Sequence, residues 1–137
     1  MKKIILFSLV VLLFACHNEP DTCLVKTCLV KNPVNELAWL QREIEDLENS
    51  DLEMSKYFFV SMALYNKTTV FFTNNCCPFC STLPPILKNC SGEPVGYIYE
   101  TEGTMDYQGF TIESVNRNQL EDIKIIWKPE NFACPVN

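Results

Sequence analysis

The stretch YFFVSMALYNKTTVFFT, residues 57–73, decides the fold of this chain. Its first half is rich in aromatic and branched residues, and alternate positions place four apolar side chains on one face: Phe58, Val60, Met62 and Leu64. Asn66 and Lys67 suit a tight turn, after which residues 68–73 return as a second strand. The stretch therefore predicts an antiparallel β-hairpin.

A helix is predicted on the N-terminal side of this hairpin. Asn32 is a favoured N-cap, and Pro33 suits the first helical position, where its missing N–H costs nothing. Four apolar residues then fall on one stripe at helical spacing: Leu37, Leu40, Ile44 and Leu47. We expect this stripe to pack on the sheet and the helix to end near residues 49–51.

Further strands are predicted after the hairpin, at residues 86–88, 94–99 and 123–127. The first two form a second hairpin around the turn at residues 89–92. Residues 101–109 are expected to be a loop, and residues 118–122 a short helical or irregular piece. The fold class is therefore α+β, with one N-terminal helix packed on a disulfide-stabilised antiparallel sheet of four or five strands.

The N-terminus has the parts of an export signal. Met1 is followed by two lysines, and residues 4–14 are apolar except for Ser8. Because a membrane-spanning helix needs about 20 apolar residues, this segment is too short to span a bilayer. We expect it to be removed.

Leu13-Phe14-Ala15-Cys16 resembles the bacterial lipobox. The resemblance implies a diacylglyceryl group on the Cys16 thiol, cleavage before Cys16, and acylation of the new amine by a fatty acid such as palmitate. At roughly 0.8 kcal/mol per buried methylene, two or three acyl chains form an essentially permanent membrane anchor. An ordinary secretory signal followed by a chance cysteine is the alternative.

The amino-acid composition restricts the classes of partner that the protein can bind. Loss of Lys2 and Lys3 leaves 9 basic against 17 acidic residues, so the mature net charge is −8. A chain this acidic lacks the basic patch that nucleic acid requires. Its length predicts one domain.

Seven cysteines follow Cys16, in a compartment where disulfides persist: Cys23, Cys28, Cys76, Cys77, Cys80, Cys90 and Cys134. The pentapeptide TCLVK occurs twice in succession, at 22–26 and 27–31, which indicates a tandem duplication that left one cysteine surplus. We therefore expect six paired cysteines and one spare. Residues 16–31 would form the tether, with a reach of about 50 Å at roughly 3.3 Å per residue.

Cys77-Pro78-Phe79-Cys80 follows an apolar strand and resembles the thioredoxin-type active site, where Cys-x-x-Cys begins a helix. Pro84 and Pro85 would break that helix in its first turns. We therefore favour structural bridges from this cluster to distant cysteines, with a thiol oxidoreductase as the alternative. Cys76 and Cys77 should have different partners because adjacent side chains of an extended chain point to opposite sides.

Other chemistry has little support. The clustered cysteines with Cys90 could offer four thiolates to zinc, but structural zinc sites usually show two separated Cys-x-x-Cys pairs or histidines, and the single histidine is His17. We find no nucleophile elbow, phosphate loop or triad. No metal, cofactor or catalytic residue is predicted.

Trp39 lies about 130° from the centre of the helix's apolar stripe, taking 100° per residue. It is a candidate contact for a partner, because Trp is enriched at binding hot spots. The alternative is packing on the tether or a neighbouring loop.

Four short pieces carry a resemblance to a family of short, uncharacterised lipoproteins of Bacteroidetes-type bacteria. They are NPVNELAWL at 32–40, the CCP step at 76–78, KNCSG at 88–92 and IIW at 125–127. The resemblance implies a lipid-anchored α+β domain and no particular activity. Cysteines that relatives carry near the position of Val95 are absent here, so it implies no disulfide pairing.

The sequence thus predicts a signal peptide at 1–15, a lipidated tether at 16–31 and one domain at 32–137. We expect a non-enzymatic binding or envelope-associated module whose partner is an unknown protein or envelope ligand. Its expected location is the bacterial envelope, on either face of the outer membrane, with the lipid at Cys16 as anchor. The alternative is an envelope thiol-disulfide oxidoreductase that uses Cys77 and Cys80.

Overall fold

The computed structural model describes residues 28–50 and 53–135. Helix α1 spans Pro33–Glu36 and α2 spans Ala38–Glu48, and short 3₁₀ helices lie at Glu53–Tyr57 and Arg117–Gln119. Within these ranges the strands are β1 Phe58–Tyr65, β2 Thr68–Asn75, β3 Ile86–Lys88, β4 Pro94–Ile98, β5 Thr104–Tyr107, β6 Phe110–Val115 and β7 Leu120–Trp127. The α+β class is confirmed.

One mixed sheet holds the strands in the order β5-β6-β4-β3-β2-β1-β7. The predicted hairpin is confirmed, because β1 and β2 pair antiparallel over their whole length. Its turn residues Asn66 and Lys67 have positive φ, 49° and 64°. This conformation matches the twist of the flanking strands. β7 then pairs antiparallel with the other side of β1.

The predicted number of strands and the purely antiparallel sheet are wrong. β5 lies inside the predicted loop 101–109 and pairs with β6 through a turn in which Gln108 and Gly109 have φ of 50° and 86°. β6 runs parallel to β4. In these two added strands only Ile112 and Val115 are buried. Polar and apolar residues do alternate at 104–107 and 110–113, but each alternation covers only four residues, which is the shortest run that indicates a strand.

The predicted helix is present but interrupted. Leu37 has extended backbone angles, φ −94° and ψ 102°, and separates α1 from α2. Asn32 precedes α1, yet its side chain makes no capping bond. Instead the Glu36 carboxylate accepts hydrogen bonds from the backbone N–H groups of Lys31 and Asn32, at 3.1 and 2.6 Å. The acidic side chain thus binds the two N–H groups that directly precede α1.

Two apolar clusters form the core. The cluster beneath the helix contains Leu40, Ile44, Val60, Met62 and Phe71. The cluster on the other face of the hairpin contains Ala63, Val70, Phe72, Leu87, Val115 and Leu120. Because successive strand residues point to opposite faces, β2 contributes to both clusters. Consequently its sequence is continuously apolar at residues 70–72.

Three disulfides tie the described residues together: Cys28–Cys90, Cys76–Cys134 and Cys77–Cys80. The first two join residues 62 and 58 apart, and each stabilises the fold by about 4 kcal/mol through loop closure. The third joins residues 3 apart and contributes about 2 kcal/mol on the same relation. Cys16 and Cys23 lie outside the described residues, as does the predicted signal peptide.

Cys28 and Val30, at the end of the predicted tether, pack against the cluster beneath the helix. The chain is therefore held to the domain four residues before Asn32. None of the helices in the described ranges is long and apolar enough to span a membrane.

Candidate functional site

The segment Cys76–Pro85 between β2 and β3 is the candidate functional site, and we call it the clamped loop. It contains no charged residue. Phe79 is 70% exposed and Leu83 is 67% exposed, which makes them the most exposed large apolar side chains after Leu29 in the described part of the chain. The Cys77–Cys80 disulfide closes the tip of this loop.

Hydrogen bonds and sulfur contacts brace the clamped loop against the domain. The backbone N–H of Cys77 donates to Asn75 Oδ1 at 3.2 Å. The amide Nδ2 of Asn75 in turn donates to Thr82 Oγ1 at 3.1 Å. This bond joins the residues on either side of the Cys77–Cys80 disulfide. Cys80 Sγ lies 3.3 Å from Met54 Sδ. Asn75 thus fixes both sides of the loop from the end of β2.

The base of the clamped loop is held by the second bridge. Cys76 is bonded to Cys134 with 5.8 Å between their Cα atoms, and its N–H donates to the Tyr57 carbonyl oxygen at 3.1 Å. The Tyr57 ring also makes an edge-to-face contact with Phe79, with 5.8 Å between ring centroids. Phe79 therefore has a defined position despite its exposure.

An apolar groove of about 500 Å³ runs beside this loop. It lies between the end of α2, the first 3₁₀ helix, the start of β1 and the loop itself. Its lining residues are Leu47, Ser50, Met54, Ser55, Phe58, Phe79, Cys80, Ser81 and Thr82. The volume falls in the range of about 300–1,000 Å³ that is common for binding sites. Cys80, one member of the Cys77–Cys80 disulfide, belongs to its wall.

The pairing within the loop differs from the preferred prediction. The sequence favours distant partners for Cys77 and Cys80, but these two residues are bonded to each other, and Cys76 has the distant partner. The expectation of different partners for Cys76 and Cys77 is met. The local pairing arises because a turn at Pro78 and Phe79 reverses the chain and brings the two Cα atoms within 5.4 Å.

The surroundings of the Cys77–Cys80 pair lack the device that activates thioredoxin-type cysteines. Residues 80–85 form neither helix nor strand, as the two prolines predicted. A Cys77 thiolate would therefore not face the N-terminus of a helix, where partial positive charge stabilises anions. The arrangement permits thiol-disulfide exchange but offers no evident acceleration of it.

Trp39 has partners within its own chain. Its Nε1 donates to the Cys90 carbonyl oxygen at 2.9 Å, and its ring meets Phe71 edge-to-face with 5.8 Å between centroids. Lys88 Nζ lies 5.6 Å from the ring centroid and also forms an ion pair with Glu43. These contacts match the alternative of packing on a neighbouring loop.

Cys90 is bonded to Cys28 and is thus removed from the cysteine cluster that zinc would have required. Within residues 28–50 and 53–135, no three His, Cys, Asp or Glu side chains are grouped so as to hold a metal ion. The clamped loop presents an apolar contact surface and a disulfide.

The sequence singled out the cysteines of this site but missed Leu83, Met54 and the groove. An apolar residue in a proline-rich segment without charge could have drawn attention to Leu83. Nothing in the sequence places Met54 beside Cys80, because the two residues are 26 positions apart. Comparison with known proteins finds no relative of this chain. No family model, curated protein or solved structure matches it.

Proposed function

We propose that this protein is a lipid-anchored envelope lipoprotein that begins at Cys16 and carries a non-enzymatic binding module. The clamped loop is its contact surface for a partner protein. The observation that carries this proposal is the exposure of Phe79 and Leu83 on an uncharged loop closed by a disulfide. Exposed apolar groups that are held in place mark interaction sites.

Rigidity matters because ordering a loop on binding subtracts from affinity. The Cys77–Cys80 bridge, the Asn75 hydrogen bonds and the Cys76–Cys134 bridge order this loop before any partner arrives. The groove beside the loop adds a recess for an apolar side chain. The net charge of −8 after cleavage favours a partner that meets the domain through apolar contact or through its own basic groups.

The contact surface is tested by photocrosslinking in the intact envelope. A photoreactive phenylalanine analogue replaces Phe79 in the full-length chain. The matched control carries it at Phe110, which is 46% exposed on β6. We expect one discrete adduct from position 79, reduced by the added substitution Leu83→Ser, and none from position 110. Equal adducts at both positions, or none at position 79, would refute the binding role of the loop.

The anchor is tested separately by labelling cells with radioactive palmitate. The wild-type chain should take up label and sediment with membranes. Cys16→Ser should abolish both properties without altering the disulfides of the domain. A soluble, unlabelled wild-type chain would contradict the proposal of a lipid anchor. The proposed contact surface would still be tested by the crosslinking experiment.

A thiol oxidoreductase is the second candidate, and the local Cys77–Cys80 pair favours it. In that reaction a partner thiolate attacks one sulfur of the Cys77–Cys80 bond, the other sulfur leaves as a thiolate, and a mixed disulfide forms. A second partner thiolate then attacks the partner's own sulfur in the mixed disulfide and releases the cysteine that was attacked first. The partner dithiol is oxidised and the pair is reduced to two thiols, which an envelope disulfide oxidant would have to restore. The missing helix after Cys80 counts against this function.

Differential alkylation with mass spectrometry separates the two functions. If the protein is a binding module, glutathione at cellular concentrations should not reduce its disulfides. The oxidation of a reduced dithiol peptide should then proceed at the uncatalysed rate. The oxidoreductase role requires selective opening of Cys77–Cys80 and peptide oxidation that Cys77→Ser abolishes. In that case the binding role would be rejected as the main activity.

A further inference from the structure

A second cleft, remote in sequence from the clamped loop, has a volume of about 670 Å³. One wall is the segment from Tyr99 to Thr104, which connects β4 to β5. The other wall is the end of β6 and the second 3₁₀ helix, from Glu113 to Gln119. We call it the polar cleft. No lysine, arginine or histidine lines it.

The walls of the polar cleft are joined by two backbone hydrogen bonds and one bond to a serine hydroxyl. Ser114 N–H donates to the Gly103 carbonyl at 2.9 Å, and Gly103 N–H donates to Ser114 Oγ at 2.9 Å. Tyr99 N–H donates to the Val115 carbonyl at 3.1 Å. These bonds fix the width of the cleft, so a ligand would meet a preformed site.

An aromatic ring stands at one side of the cleft. Tyr99 is 54% exposed, although it lies beside the buried Tyr97 with 6.1 Å between ring centroids. The Tyr97 hydroxyl lies close to Gly103, since a Cβ built on Gly103 would be 3.1 Å from its oxygen. Tyr99 therefore offers an exposed aromatic face beside a buried ring. Such a face suits the apolar side of a flat ligand.

Hydrogen-bond acceptors and donors both line the cleft. Glu100, Glu102 and Glu113 contribute carboxylates, which only accept when ionised. Asn116 and Gln119 use their carbonyl oxygens within the turn, accepting from the Asn118 and Asn116 N–H groups. Their NH₂ groups make no hydrogen bond within the described part of the chain and remain as donors. A ligand must both donate and accept to use all of these groups.

Several ligand classes fail this requirement. An anion would meet three carboxylates and no cation. A metal ion lacks a suitable group of ligands in residues 28–50 and 53–135. An amine or guanidinium suits the carboxylates, but it has no acceptor for the two amide donors. A hydroxyl both donates and accepts, and a sugar ring adds an apolar face for Tyr99.

We infer that the polar cleft binds a neutral saccharide, with Tyr99 stacked on the sugar ring and the carboxylates and amides hydrogen-bonded to its hydroxyls. The volume suits a small ligand, since such sites measure about 300–1,000 Å³. This inference goes beyond the proposed protein contact, because it uses other residues and another part of the sheet. A protein that binds a partner protein at the clamped loop and a glycan at the polar cleft would link that partner to the glycan.

The test uses the full mature lipoprotein in a zwitterionic detergent without a sugar headgroup. Saturation-transfer NMR measures binding of glucose, galactose, N-acetylglucosamine, cellobiose and chitobiose. We expect at least one to bind, and Tyr99→Ala to weaken it by roughly tenfold or more while Tyr99→Phe preserves binding. Phe110→Ala is the control, since it removes an exposed aromatic ring outside the lining of the cleft.

The outcomes separate this inference from the proposed function. Phe79→Ala should leave saccharide binding unchanged, and Tyr99→Ala should leave the crosslink at position 79 unchanged. Circular dichroism checks that each variant is folded. The inference is overturned if no saccharide binds, if Tyr99→Ala binds as well as wild type, or if spermidine binds at the cleft in preference to every sugar.

Discussion

Replacing Gly92 with alanine tests the packing that holds the helix to the second hairpin. Gly92 has φ +82°, a region that side chains other than glycine's rarely adopt. A Cβ built at this position lies 2.7 Å from Trp39 Cγ and 2.8 Å from Trp39 Cδ2. The ring cannot move aside freely, because its Nε1 donates to Cys90 and its edge contacts Phe71.

Two terms set the expected loss of stability. A non-glycine residue in the left-handed region costs about 1–2 kcal/mol. Forcing an extra carbon against a packed ring costs about 1–3 kcal/mol more. Gly92→Ala should therefore lower the free energy of unfolding by about 2–5 kcal/mol. That is a large share of the stability of a small domain, which is about 5–15 kcal/mol.

Gly109 supplies the matched control. Its φ is +86°, and a Cβ there would meet nothing within 4 Å. Gly109→Ala should cost only the backbone term, about 1–2 kcal/mol. The difference between the two variants measures the contact with Trp39.

The assay is urea unfolding of the full-length chain with its disulfides intact, followed by circular dichroism. In a Trp39→Ala background, Gly92→Ala should cost no more than Gly109→Ala does, because the ring that it would strike is gone. Equal losses for Gly92→Ala and Gly109→Ala in the wild-type background would refute the reasoning. So would a Gly92→Ala penalty that persists in full without Trp39.

Three further substitutions have defined outcomes. Ser61→Ala should raise the free energy of unfolding by about 1 kcal/mol, because its buried hydroxyl has no hydrogen-bond partner in the described residues; a loss on urea unfolding would contradict this. Trp39→Phe should lower stability by about 1–2 kcal/mol, since the Cys90 carbonyl loses its donor; unchanged stability in the same assay would show that this hydrogen bond contributes nothing. Cys28→Ser should leave Cys90 in a disulfide, now with Cys23, because the repeat supplies the same residues five positions earlier. Mass spectrometry should find a free Cys90 thiol only when Cys23 is replaced as well. That double replacement should lower the free energy of unfolding by about 4 kcal/mol.

Much of the fold follows from local patterns in the sequence. The hairpin of β1 and β2, the helix, and β3, β4 and β7 are each marked by apolar spacing and turn residues. β5 and β6 escaped prediction because each shows apolar alternation over only four residues, and because their place in the sheet depends on the parallel pairing of β6 with β4. The break at Leu37 is similarly invisible, since the apolar stripe continues through it.

The candidate functional site also has features that follow from the sequence and features that depend on the tertiary structure. The sequence by itself determined that residues 76–85 form an uncharged segment with three cysteines, and that its prolines exclude a following helix. Which cysteines pair was decided only by the tertiary structure, because Cys134 reaches Cys76 from 58 residues away. The groove beside Cys80 and the polar cleft likewise join residues that are distant in sequence. Local propensity acts over a few residues, whereas such contacts exist only once the sheet brings its strands together.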